Sequence, residues 1–158
     1  MEYEIVELEA KKILGVGDHL SNNNPDSMKR IGELWEQVFQ DHLEQTIPHK
    51  KNLLPIGLYS DYENIGTEAS SLAYNFTAGY EVDSIDANTP WIKKHIPAGK
   101  YARFIIQGNI VDAVGNAWQE IWKMPLERKY SGDFEQYINC EIENAIVEIY
   151  IALIDAEE

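Results

Sequence analysis

The run Ala145-Ile146-Val147-Glu148-Ile149-Tyr150-Ile151-Ala152-Leu153-Ile154 is almost wholly apolar or aromatic, with several β-branched residues. That is the composition of a buried strand. Alternation places Val147, Ile149, Ile151 and Leu153 on one uniformly aliphatic face, suited to packing under a helix. Ile146, Glu148, Tyr150 and Ala152 share the other face. An ionised carboxylate in such a run is costly unless something pairs with it. Glu148 therefore marks one of two things. Either it is a solvated position on a sheet edge, alone or paired with Arg103, or it faces a cavity that needs a negative charge.

Working outward from this strand, the rest of the chain supplies helices and further strands at regular intervals. Val111, Val114, Trp118, Ile121 and Trp122 recur at helical spacing and predict a helix over 110–123, stopped by Pro125. Lys100 to Gln107 reads as a strand after the turn Pro97-Ala98-Gly99, with Trp91 to Ile96 leading into that turn. Asp133 to Cys140 reads as another strand. In the first half, residues 3–16 read as extended, with a bend around 9–12. Met28, Ile31, Leu34, Trp35, Val38, Phe39, His42 and Leu43 predict a helix that begins at Pro25 behind an asparagine cap and ends before Pro48. Strands are expected over 53–60 and 72–82, the latter with Tyr74, Phe76, Ala78 and Tyr80 on one face. Asp61 to Ser71 reads as a loop and Asp83 to Pro90 as a linker.

The order is strand, helix, strand, strand, written twice. This is an internal repeat of elements without sequence identity. The expected fold is α+β: two pseudo-symmetric strand-helix-strand-strand repeats in a single domain over 1–158, with halves near 1–83 and 90–158. Their antiparallel sheets meet edge to edge or face to face, with a ligand cleft between the halves.

Composition excludes several functions. The chain has 158 residues, 44% hydrophobic and 25% charged, with 13 basic against 27 acidic side chains and a net charge of −14. Such a surface repels phosphate backbones and anionic lipid, so neither direct nucleic-acid binding nor membrane binding is expected. The lone Cys140 has no disulfide partner and reads as a buried or half-buried thiol. With no signal peptide or membrane span, the expected location is cytoplasmic. His19, His42, His49 and His95 lack metal-ligand spacing, and neither a metal nor a cofactor is expected. Asp61 and Glu63 read as solvated loop charges, and no nucleophile or phosphate-loop motif is present.

The segments IPAGKYARFIIQG, AWQEIW, FEQYI and VEIYIALI in the second half, with IGLYSDY and YNFTAGYEV in the first, together resemble the gyrase-inhibitory-protein-like (GyrI-like) family. That family includes the AraC-type effector-binding domains of multidrug-sensing transcription regulators. The resemblance covers essentially the whole chain and implies a free-standing effector-binding domain. It also implies a cleft for bulky, flat, cationic organic molecules, with a glutamate of the last strand, in the pattern E-x-Y-I-P, neutralising the cation. That glutamate maps to Glu148, with Ala152 standing where the pattern has proline.

The expected ligand-binding residues are Glu148, Tyr150, Trp91, Tyr59, Tyr74, Phe76 and Phe104, while Trp35, Trp118 and Trp122 are assigned to the core. The expected partners are cationic or amphipathic small molecules, bound without catalysis and weakening in acid as the carboxylate protonates. The resemblance implies a role in drug sensing or transcription regulation. Two other readings stay open: a protein-interaction module whose partner is a regulator or DNA gyrase, and a hydrolase of electrophilic toxins using the same carboxylate as a general base.

Overall fold

The computed structural model describes residues 1–65, 72–139 and 141–154, except the side chain of Val111. Cys140, which ends one expected strand, and residues 66–71 of the expected loop lie outside the described residues. Among the described residues, eight strands and three helices follow in the order β1 (Glu4–Leu8), β2 (Lys11–Ser21), α1 (Ser27–Gln40), α2 (Leu43–Thr46), β3 (Ile56–Glu63), β4 (Ala73–Val82), β5 (Ile92–Ile96), β6 (Gly99–Gly108), α3 (Ile110–Lys123), β7 (Asp133–Tyr137) and β8 (Ala145–Ala152). All strands join one antiparallel sheet in the order β1-β6-β8-β7-β3-β4-β2-β5. The two halves therefore meet edge to edge, through the β3–β7 pairing of Ile56–Tyr59 with Asp133–Gln136.

Each half also gives its first strand to the other: β1 pairs with β6, and β5 pairs with β2. Only two residues separate Leu8 from Lys11, yet β1 and β2 stand six strand spacings apart in the sheet. Laid flat, that is about 29 Å, whereas the connection spans at most about 11 Å. The sheet must therefore curl. Its concave face encloses a core of Ile13, Ile56, Leu58, Ile96, Tyr101, Phe134, Tyr150 and Ala152, drawn from both halves. The convex face carries the helices.

Helix α1 buries Ser27, Ile31, Leu34 and Val38 against β2 and β4, a stripe at helical spacing. It starts two residues later than expected, because Asn24 instead accepts the Asp26 amide in a turn. It also stops sooner, at Gln40, where His42 takes a left-handed conformation (φ 52°) before the short α2. Met28 and Phe39, expected on the inner face, are exposed. Helix α3 spans its expected residues and covers β6 and β8 with Ala117, Trp118 and Ile121, while Trp122 is 48% exposed instead of core. Strand β3 runs on to Glu63 with a bulge after Ser60, so Asp61 is a strand residue and not part of a loop. Residues 92–96 form an edge strand rather than a lead into the turn. No helix among the described residues is long and apolar enough to cross a membrane.

Candidate functional site

With α1 over β2 and β4, and α3 over β6 and β8, the two central strands β3 and β7 form the floor between the helices. Register decides which side chains rise from that floor. Tyr59 pairs with Phe76 and Asp133, and Gly57 with Ala78 and Glu135, so Tyr59, Phe76 and Glu135 share the helix side. Tyr137 follows Glu135 by two residues on the same face.

Glu135 is 2% exposed. Its Oε1 accepts the Tyr137 hydroxyl at 2.7 Å. Its Oε2 accepts the Tyr59 hydroxyl at 3.0 Å and the Trp118 indole N–H at 2.6 Å. Trp118 comes from α3, so one carboxylate ties a helix to both central strands. Aromatic rings close around this group. Tyr59 meets Tyr74, Phe76 and Trp118 edge to face at 5.4, 5.1 and 5.1 Å. From α1, Trp35 reaches Tyr137 at 5.2 Å and Phe76 at 6.2 Å. Gly57 leaves the floor clear for them: a Cβ there would come within 3.1 Å of both the Phe76 and Trp35 rings.

Three carboxylates are buried among the described residues, and they differ in their counter-charges. Glu81 faces Lys11 at 3.4 Å and Lys51 at 3.7 Å. Asp133 faces Arg128 at 2.5 Å, and also accepts the Tyr62 hydroxyl and the Ala152 amide. Glu135 has hydrogen bonds from neutral donors and enters none of the ion pairs found among the described residues. Burial pushes its carboxyl above the ordinary range, against the opposing pull of the Tyr137, Trp118 and Tyr59 hydrogen bonds. Tyr59 and Tyr137 are held well above the usual phenol value, by burial first and then by the charge of Glu135, so both remain donors.

The residues expected from sequence divide between two faces. Tyr59, Tyr74 and Phe76 line the floor and wall beside Glu135. Phe104 is on the same side of the sheet but fully buried in the core beneath α3. Trp91 is half-buried and lines a shallow cavity of about 270 Å³ with Gly15, Val16, Leu34 and Ile92, on the other flank of α1. Glu148 and Tyr150 face the concave side, away from the other five. Strand β8 is an interior strand, paired with β6 and β7, so the sheet-edge reading of Glu148 does not hold. The Tyr150 hydroxyl donates to Glu148 at 2.7 Å, and its ring stacks on Phe134 at 4.5 Å. Arg103 forms its ion pair with Glu4 and not with Glu148.

Sequence reasoning passed over Glu135 and Tyr137 and assigned Trp118 and Trp35 to the core. One signal was available. FEQYI repeats the E-x-Y spacing of VEIYI, with Glu135 and Tyr137 alternating against Phe134 and Gln136.

A profile of the family Cass2, described as integron-associated effector binding protein, matches residues 4–153. The chain belongs to the Cass2 family. Among solved structures, the integron cassette protein VCH_CASS2 from the mobile metagenome of Vibrio cholerae is 26% identical with a TM-score of 0.74, covering 96% of this chain and 95% of that one. SAV2435, solved bound to tetraphenylphosphonium, is 18% identical with a TM-score of 0.77, covering 99% and 96%. The C-terminal domain of EcmrR is 15% identical with a TM-score of 0.55, covering 98% and 100%. The last two likenesses are of fold. No curated protein matches the sequence. The Cass2 chain thus has the GyrI-like effector-binding fold that the resemblance implied.

Proposed function

We propose that this effector-binding protein takes amphipathic organic cations between α1 and α3, with Glu135 as the counter-charge and Tyr59, Tyr137, Trp35, Phe76 and Trp118 as the aromatic wall. The observation that carries this reading is the contrast among the three buried carboxylates: two have cationic partners and Glu135 has neutral ones. A buried ion without a counter-ion costs the fold several kcal/mol, which hydrogen bonds only partly offset. A bound cation supplies the missing charge, and each ring face it covers adds about 0.5–2 kcal/mol. Tetraphenylphosphonium on SAV2435, a protein of the same fold, is an organic cation of this kind. Binding is favoured over hydrolysis because donors fill three of the roughly four acceptor directions of the carboxylate, which leaves Glu135 poorly placed to take a proton from water. With a net charge of −14, any role in transcription would run through a DNA-binding partner rather than direct contact.

Titration with tetraphenylphosphonium, or with a cationic dye that it displaces, tests the assignment. Glu135→Gln should weaken binding by tenfold or more, about 1.5–3 kcal/mol for a charged contact. Glu148→Gln should leave binding within about twofold, because Glu148 faces the opposite side of the sheet. Loss of binding in Glu148→Gln alone would move the counter-charge to the concave face.

A further inference from the structure

We infer that the site proposed around Glu135 discriminates among organic cations by their hydrogen-bonding capacity, favouring those that carry charge without N–H donors, such as quaternary ammonium and phosphonium ions, over primary ammonium ions of the same shape. This rests on the reading of Glu135 as the counter-charge. It goes further by asking which acceptors are left once the protein's own donors are in place.

A carboxylate offers roughly four acceptor directions. Tyr137, Tyr59 and Trp118 fill three of those on Glu135. The neighbouring carboxylate on the same strand is also filled: Asp133 accepts Tyr62, Arg128 and the Ala152 amide. Backbone carbonyls of the floor are spoken for as well, because β3 is paired with both β4 and β7, and β7 with both β3 and β8. What remains is ring surface, one direction on Glu135 and the phenol oxygens, whose lone pairs are partly drawn into the ring and are poorer acceptors than a carboxylate or a backbone carbonyl. A primary ammonium brings three donors into this setting. Each donor buried without an acceptor loses its water and gains nothing. A trimethylammonium or phosphonium centre has no such donors. It needs only a nearby negative charge and aromatic faces, and both are present.

The test uses the full chain and three probes on one 2-naphthylmethyl carrier, ending in trimethylammonium, in ammonium or in neutral tert-butyl. Affinities are read by titration calorimetry at pH 7. In the wild-type chain the trimethylammonium probe should bind about tenfold or more tighter than the ammonium probe, and the tert-butyl probe should bind more weakly than the trimethylammonium one. Tyr59→Phe removes one donor from Oε2 and gives the ammonium an acceptor, so the gap between the two cations should narrow, chiefly through tighter ammonium binding. Tyr137→Phe does the same at Oε1 and serves if the first variant folds poorly. Equal affinity of the two cations in the wild type, with weak tert-butyl binding, would overturn this inference and leave the counter-charge reading standing. A gap that persists unchanged in both variants would also overturn it, since ammonium hydration alone would then account for the preference. A tert-butyl probe that binds as tightly as trimethylammonium would remove the counter-charge reading and this inference together.

Discussion

Glu135 and Glu148 stand in the same local pattern, a glutamate two residues before a tyrosine on one strand face, and in both the tyrosine hydroxyl donates to the carboxylate at 2.7 Å. What separates them is which side of the sheet each occupies, and pairing register fixes that. Glu135 is fully buried on the convex side with its carboxyl pushed up by desolvation, and a raised carboxyl gives the stability change a definite sign. Its contribution to stability is fully present below the unfolded-chain value near 4.5 and is lost as pH rises through the higher folded value. Glu135→Gln does not titrate. The melting temperature of the variant minus that of the wild type should therefore become more positive between pH 4.5 and pH 8. Each kcal/mol of that difference corresponds to about 2–4 °C for a chain of this size. Cation affinity of the wild type should fall over the same range as pH is lowered, because a proton then competes for the carboxylate. A melting difference that stays flat with pH would mean that Glu135 titrates as it does in the unfolded chain.

At the scale of elements, the site depends on how β2 and β4 are held while the sheet curls. Gly15 and Gly79 face each other across these strands. A Cβ on Gly79 would lie 2.0 Å from the Leu14 carbonyl oxygen, and one on Gly15 would lie 2.1 Å from that of Ala78. Those neighbours are backbone and cannot swing aside, so the close approach requires glycine at both positions. Gly79→Ala should destabilise the protein by about 1–3 kcal/mol, the range for overpacked positions, measured as a lower urea midpoint with unchanged slope. An unchanged midpoint would show that the ladder can widen there at no cost. The elements themselves were legible where periodicity was strong. Helix α3 matched because its stripe runs unbroken into Pro125. Helix α1 was read too long because nothing in its apolar spacing shows that His42 adopts a left-handed conformation. Trp118 was read as core, and its ring is buried as expected. Its indole N–H also donates to Glu135, and periodicity carries no information about where a polar edge points.

At the scale of the whole molecule, the repeat of strand, helix, strand and strand was readable, but the exchange of first strands was not. Strand β5 is short and carries Lys93, Lys94 and His95, so no apolar alternation marks it, and its pairing with β2 is a long-range contact. The exchange has a mechanical consequence. Neither half owns a complete sheet edge, and the concave core takes Ile13, Ile56 and Leu58 from the first half and Tyr101, Phe134 and Tyr150 from the second. Separating the halves would expose this core and break the β1–β6, β2–β5 and β3–β7 ladders at once. Unfolding should therefore be one cooperative transition. Trp35 sits on the first half against Tyr137, and Trp118 on the second against Tyr59. In urea, the Trp35→Phe/Trp91→Phe variant keeps Trp118 and Trp122 on α3, and the Trp118→Phe/Trp122→Phe variant keeps Trp35 and Trp91, which both pack against the first-half core. In each variant the fluorescence midpoint should coincide with that from far-ultraviolet circular dichroism, as two-state unfolding requires. If tryptophan fluorescence and circular dichroism separate in either variant, the halves fold as independent units, and the floor between α1 and α3 would be a joint between two bodies rather than a feature of one.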